Sequence, residues 1–400
     1  MSEDFIIYSP GALQAYGHAY DYAGGLGLGL ASLGMRVHIV AHHGSLTLPD
    51  GLMAHPASPR PMDELLSPLP SAARRHAQRL TTEPRLLDTL ARLTTAFPDA
   101  PVLFETFEYM SLARSLKRLN LPYAASIFHS TTFRSERDGL LRSAYKRSSS
   151  SAARRIAERM DTVYVHGERM RARLVEQLRL DSASRVRVLA HGAPHPASIR
   201  LPDRPAARKQ LGIPETANVL LSLGTLRKDK ELSLMVGAVA QTPGWMLLHA
   251  GPEGDVSYTE LERLGETAGL GDRLVIHRRF IPAQDHALYF GSADLVAALY
   301  EPEMTHESGT AKRVRAFSRP LLASGPADLT DYVRDNGVGY TVEHPTPSAA
   351  ALALAQHASK STSEKLDLEA RVRAVGEALS WSSVAASIVR DWQAASSRVP

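Results

Sequence analysis

The residues best placed for chemistry follow the apolar run VLLSL. Gly224 comes directly after it, then Arg227, Lys228 and Lys230 in a turn that leads into a helical pattern. Cations at the carboxyl end of a strand, beside a helix N-terminus, are arranged to hold a diphosphate. They also stabilise the negative charge that develops on a departing nucleoside diphosphate; a solvated basic turn has the same composition. A second grouping lies in LYEPEMTHESGTAKR, where Glu301, Glu303, Glu307 and His306 crowd the segment after the apolar run Leu295–Ala297, and Ser308-Gly309-Thr310 then open a helix. A carboxylate there can accept hydrogen bonds from sugar hydroxyls while the Ser-Gly-Thr amides face phosphate. A helix-capping role accounts for Glu307 alone but not for several acids gathered in one loop. His129 follows the run Tyr123–Ile127. A neutral imidazole at that position orients a sugar, polarises a phosphate or makes an ordinary structural hydrogen bond. Gly17 and His18 stand near the start of another helix, where exposed N–H groups favour anions and where a plain surface loop is the competing reading.

Several chemistries are excluded or disfavoured. The chain has no cysteine, so disulfides, Cys-ligated zinc and thiol catalysis are out, which fits a reducing cytoplasm. There is no Gly-x-Ser-x-Gly elbow, no Walker loop and no Asp-x-Asp. His42-His43 lacks carboxylates at ligand spacing, so no metal is expected. The cluster Gly24-Gly25-Leu26-Gly27-Leu28-Gly29 fails the dinucleotide fingerprint, which needs a third glycine at Leu30 or Ser32. Its glycines read instead as a helix that packs closely on a sheet.

The elements that must carry these residues alternate short apolar runs with longer amphipathic stretches, the mark of parallel βαβ units. Strands are expected at Phe5–Tyr8, Arg36–Ala41, Val102–Phe104, Tyr123–Ile127, Thr162–Val165 and Val186–Leu189, with helices at 18–33, 108–119, 136–159 and 167–178. Residues 44–70 read as a long loop, and the proline-rich segment His191–Pro214 as a linker with one short helix. A second series follows at Val219–Ser222, Trp245–His249, Leu274–His277, Leu295–Ala297, Pro320–Ala323 and Val338–Thr341. The expectation is an α/β chain of two doubly wound domains, residues 1–195 and 196–380, facing a cleft with ligands at the strands' carboxyl ends.

With 44% hydrophobic and 22% charged residues, the 400-residue chain is globular in composition, and its formal charge of +4 favours acidic small molecules or an anionic surface. No signal peptide and no membrane-spanning run are read from it, and a cytoplasmic protein with no nucleic-acid partner is expected. Residues 134–160 hold eight basic and three acidic side chains. They form either a solvated helix face or a docking surface for an anionic acceptor or membrane.

Taken in order, these segments resemble the retaining GT-B glycosyltransferases of family 4 over nearly the whole chain. MDTVYVHGERMRARL is similar to that family's last N-domain strand and helix, and VRVLAHGAP to its entry into the linker. SLGTLRKDK resembles its Gly-to-Lys phosphate turn, LLHAGPEG its nucleotide-side loop at Gly251, and HRRFIPAQDHALYFGSADLVAALYEP the stretch leading to its acidic loop. RPLLASGPADLTDYVRDNGVGYTVE resembles its closing pattern, and LSWSSVAASIVRDW, with Trp381, its terminal helix (381–400) returning to the first domain. The resemblance implies two Rossmann-like domains and metal-independent, configuration-retaining transfer of a hexose from a UDP- or GDP-linked donor to a glycan, lipid-linked or small-molecule acceptor, with no cofactor besides the donor. By it Arg227 and Lys230 grip the diphosphate, Phe280 and Ile281 lie near the base, and His129 contacts the donor sugar. Two departures stand out. Thr225 replaces the family's arginine after the turn glycine. The family's pair of glutamates is incomplete, Glu301 or Glu307 serving as the first while the second falls near Arg313. The loss admits a catalytically degenerate homologue acting as a partner-binding or regulatory subunit, in a homo-oligomer or with another protein. An epimerase or phosphorylase on the same scaffold is a third reading.

Overall fold

The computed structural model describes residues 2–10, 18–43, 48–58, 71–129, 140–302, 304 and 308–397. The chain divides into two compact units, Met1–Gly192 with Trp381–Pro400, and Ala193–Ser380.

In the first unit, seven strands form one parallel sheet: β1 (Asp4–Tyr8), β2 (Arg36–His43), β3 (Leu52–Ser58), β4 (Val102–Phe104), β5 (Ala124–Ile127), β6 (Thr162–Val165) and β7 (Val186–Val188). Their order is β3-β2-β1-β4-β5-β6-β7. Every residue of β1 is buried, as a strand covered by helices on both faces requires. Alternation assigns its side chains to two cores. Ile6 and Tyr8 join Leu86, Leu90, Leu112 and Ile156 on one face, while Phe5 and Ile7 join Tyr22, Leu26, Trp381 and Ile388 on the other.

Two elements depart from the sequence expectation. The stretch read as a loop at 44–70 contains β3, which runs parallel to β2 from Leu52 opposite Val37 to Ser58 opposite His43. It is an edge strand in which only Leu52 among the bulky residues packs on the core, and Pro56 sits within it, so it carries little of the apolar signal that marks a central strand. The helix Ser71–Ala96 was not expected either; it continues through Pro84, a residue that normally ends a helix.

The glycines of the helix His18–Ala31 do allow close packing, on two fronts. A Cβ on Gly27 would meet Leu52 of β3 at 3.0 Å. Gly25 and Gly29 face the terminal helix Trp381–Ser396, where a Cβ on Gly29 would collide with the Trp381 carbonyl group, its carbon at 2.7 Å.

The second unit is a six-stranded parallel sheet ordered β10-β9-β8-β11-β12-β13. Its strands are β8 (Asn218–Leu223), β9 (Trp245–Ala250), β10 (Leu274–His277), β11 (Leu295–Leu299), β12 (Leu321–Ser324) and β13 (Gly339–Thr341). Beyond its amino-terminal edge, buried Arg208 donates to Asp294, which also accepts from the Val219 N–H at 2.7 Å, and Glu369 of the helix Thr362–Ala378 pairs with Arg204 and Arg319. In both units the chain reverses its direction of winding beside the first strand, between β1 and β4 and between β8 and β11. Ligands of open α/β sheets bind outside the carboxyl ends of strands at such a point.

Gly29→Ala is expected to lower the stability of the first unit by about 1–3 kcal/mol, the usual cost of overpacking. The better helix propensity of alanine offsets only ~1 kcal/mol of that. Gly24→Ala, whose Cβ would lie 3.9 Å from Pro49, is the control and is expected to be neutral or stabilising. Thermal denaturation followed by tryptophan fluorescence checks both; equal melting points for the two variants would show that the terminal helix need not approach so closely.

Candidate functional site

At the switch point of the second unit, the segment leaving β8 and the segment leaving β11 are held together by backbone. Lys230 and Tyr300 form an antiparallel bridge, Glu301 N–H donates to Asp229 O at 3.0 Å, and Glu231 N–H donates to Leu299 O at 3.1 Å. The cationic turn and the start of the acidic segment therefore share one edge of the sheet. Gly224 turns the chain there at φ +95°, in the left-handed region that favours glycine. Its carbonyl carbon would lie 2.5 Å from any Cβ on Gly251, so the loop after β9 can close on this turn only because residue 251 has no side chain.

Lys230 is 8% exposed, and its Nζ donates to Leu223 O at 3.1 Å and Gly224 O at 3.3 Å. Burial, together with the nearby Arg227 cation, pulls its pKa down to about 8, against a smaller opposing pull from Asp229. Thr310 Oγ1 donates to the same Leu223 carbonyl at 3.3 Å. Ser308 caps the short helix Gly309–Arg313 through Ala311 N–H at 3.1 Å, and its Oγ lies 2.7 Å from Tyr300 Oη. Arg227 is paired side-on with Asp229, Nε to Oδ1 and Nη2 to Oδ2 both at 2.8 Å. That geometry uses the Nε and Nη2 edge of a partly exposed guanidinium and leaves Nη1 outside the pair. Beneath the turn, Ser222 Oγ lies 3.2 Å from His249 Nδ1. Burial, helped by the Lys230 charge, pushes that imidazole down to about 3, so it stays neutral.

The remaining expected residues fall into separate places. Phe280 is 61% exposed just beyond β10, whereas Ile281, 5% exposed, turns into the core with Tyr289 and Phe290. Around that strand end, Tyr258 Oη donates to Gly251 O at 2.9 Å, and Arg278 lies over the Tyr258 ring at 5.4 Å. Glu301 is exposed at the start of its segment. Gly17, Glu303, His306 and Glu307 lie outside the described residues, as do 134–139 of the basic stretch. Within its described part, Arg154 donates to Glu158 at 2.6 Å.

His129 belongs to a second polar cluster, in the first unit. Its Nε2 lies 3.0 Å from Glu105 Oε1 and its Nδ1 lies 3.0 Å from His166 Nε2, so both ring nitrogens are engaged. Ser9 Oγ donates to Glu105 Oε2 at 2.7 Å, and His166 Nδ1 meets Leu189 O at 3.0 Å. Sequence reasoning missed Ser9, Glu105 and His166. The signal that located His129, a polar residue just past a buried strand, also marks Ser9 after β1, Glu105 after β4 and His166 after β6.

No family model matches the chain. Over 147 residues it is 33% identical to D-inositol 3-phosphate glycosyltransferase of Mycobacterium bovis (strain BCG / Pasteur 1173P2), a stretch that is 35% of this chain and spans only 29% of that relative. Among solved structures it is similar to sucrose-phosphate synthase from Thermosynechococcus elongatus, with TM-score 0.68, 19% identity and 98% of each chain covered. It is similar also to Anabaena HepE in complex with UDP-glucose, with TM-score 0.67, 13% identity and coverage of 98% of this chain and 99% of that one. The chain has the GT-B fold, two parallel-sheet α/β units of the kind found in glycosyltransferases.

The lowered Lys230 pKa makes stability depend on pH. Between about 8 and the unperturbed 10.5, the unfolded chain holds this proton and the folded chain does not, so Lys230 stabilises the fold progressively as pH rises through that window. Relative to Lys230→Met, the wild type is expected to gain up to about 3 kcal/mol from pH 7 to pH 10.5, at ~1.4 kcal/mol per pKa unit. Denaturant titrations of both proteins across that range measure it. A constant difference would mean that the ammonium is solvated.

Proposed function

We propose that this chain is a glycosyltransferase that moves a hexosyl group from a UDP- or GDP-linked donor to a glycan, lipid-linked or small-molecule acceptor, with retention of configuration and without a metal. The observation that carries the reading is the backbone pairing of the Gly224–Lys230 turn with Tyr300–Glu301 at the β8/β11 switch point. It gathers a buried ammonium and a partly exposed guanidinium at the strand ends where a phosphate group of a ligand would sit. The partial identity to a D-inositol 3-phosphate glycosyltransferase, and the likeness to a protein crystallised with UDP-glucose, support a sugar-nucleotide ligand.

In this reading Lys230 leaves the Leu223 and Gly224 carbonyls for a phosphate oxygen, and Arg227, still oriented by Asp229, presents Nη1 to the same diphosphate. Charge that builds on the departing nucleoside diphosphate is balanced by these two side chains, the role a divalent ion plays elsewhere. Glu301 is positioned for sugar or ribose hydroxyls, and exposed Phe280 for one face of the base. His129 of the first unit is the residue to test for a part in transfer, through its charge and C–H edge, since both its nitrogens are engaged.

Calorimetric titration with UDP and GDP tests the proposal directly, and absence of binding by both would overturn it. Only protonated Lys230 attracts the diphosphate, so affinity is expected to fall as pH rises above about 8, with protons taken up on binding near that pH. Titrations in buffers of different ionisation enthalpy read that uptake. Lys230→Ala is expected to lower turnover roughly ten- to a hundredfold, the equivalent of about 1.5–3 kcal/mol for one charge-assisted contact. Unchanged kinetics would remove Lys230 from the site.

A further inference from the structure

The cluster around His129 is a head-to-tail chain, Ser9 to Glu105 to His129 to His166 to the Leu189 carbonyl, laid across the carboxyl ends of β1, β4, β5, β6 and β7. Its links do not converge on a point, and among the described residues no group of metal-ligating side chains is arranged to hold an ion. The chain does constrain its own protons. A carbonyl oxygen only accepts, so His166 Nδ1 must carry the hydrogen of its 3.0 Å link to Leu189. One hydrogen lies between His166 Nε2 and His129 Nδ1, and one between His129 Nε2 and Glu105 Oε1. The serine hydroxyl supplies its own hydrogen to Glu105 Oε2. The three links therefore need three protons on two rings and one carboxyl group, whereas two neutral imidazoles and a carboxylate hold only two.

We infer that Glu105, His129 and His166 hold one shared proton beyond that neutral-ring, ionised-acid count, and that Glu105 and His166 are positioning residues that set the charge and ring orientation of His129. The proton sits on either ring beside an ionised Glu105, or on Glu105 beside two neutral rings, and the unit is electrically neutral in each arrangement. Its loss leaves one link without a hydrogen, opposing nitrogen to nitrogen or nitrogen to carboxylate. A further proton on the rings sets two N–H groups against each other, whereas one on Glu105 Oε2 reverses the Ser9 link, the hydroxyl oxygen then accepting. The full chain of contacts thus persists only while at least that one extra proton is held.

Tyr22 of the helix His18–Ala31 stands edge-on to His129 at 5.1 Å, and neighbouring Asp21 is exposed. His191 packs against His166 at 5.5 Å and against Trp381 at 5.4 Å. Tyr8 Oη donates to Glu83 at 2.8 Å, burial and then Glu83 and Glu108 raise the Tyr8 pKa, and Glu168 and Arg169 beyond His166 are exposed. The proton count is independent of the proposed transfer reaction; only the consequence for catalysis rests on that reading.

Glu105→Gln tests the count without any substrate. A glutamine can donate to His129 Nε2 and accept from Ser9, satisfying every link with two neutral imidazoles, so the fold is retained and the unit stays neutral. Capillary electrophoresis of the full chain at pH 7.5 is expected to show no change in net charge for Glu105→Gln, while the exposed control Glu266→Gln shifts by one full unit. A full-unit shift for Glu105→Gln overturns the inference. Should that variant unfold, histidine 15N and glutamate carboxyl 13C spectra of the wild type, assigned with His129→Gln and His166→Gln, decide the matter. Three protons across the two rings and the carboxyl support it; two neutral rings beside an ionised Glu105 overturn it.

Discussion

The second unit depends on one backbone contact, the antiparallel bridge between Lys230 and Tyr300 with its flanking hydrogen bonds. Strands β8 and β11 are neighbours, but the chain departs from them to opposite sides of the sheet, and their outgoing segments would diverge without a tie. The tie folds the cationic turn back over its own strand. That path carries the Lys230 side chain beneath the turn to the Leu223 and Gly224 carbonyls, and it brings Tyr300 to Ser308 and Thr310 to Leu223. Gly251 is needed for the same reason, because the loop after β9 touches the folded-back turn atom to atom.

This packing changes the electrostatics that composition alone suggests. Three cations in four residues read as a strongly positive turn, yet Arg227 is partly neutralised by Asp229 and Lys230 is buried with a depressed pKa. Only Lys228 of the three is fully exposed. Lys230 is largely protonated at neutral pH, and the turn loses that charge as pH rises above about 8. The charge of the turn therefore varies with pH near 8, a behaviour a surface lysine lacks.

The first unit meets the same geometric problem, polar side chains crowded at the ends of buried parallel strands, with a different device. Buried Glu105 is neutralised by an imidazole chain rather than by an arginine. Buried polar groups persist only when their hydrogen bonds are complete, and here completeness requires an extra proton as well as the geometry.

The two series of central strands, their parallel arrangement and the location of the candidate polar residues at strand ends were all legible in the chain, because burial on both faces demands unbroken apolar runs such as FIIY and VLLSL. Edge strand β3 and the helix through Pro84 were not, since an edge strand with one core-facing leucine and a helix containing proline lack the local signals that define their classes. Among the chemical groups, sequence alone determined which residues could sit at a strand's end: Gly224, Arg227, Lys230, Glu301 and His129. Tertiary structure alone decided their partners. Glu105 meets a histidine 24 positions away and that histidine meets another 37 positions further, because parallel pairing brings the ends of β4, β5 and β6 side by side. Local pattern records the path of the backbone, whereas hydrogen-bond partnership depends on which strand ends the sheet makes neighbours, a relation with no fixed sequence spacing.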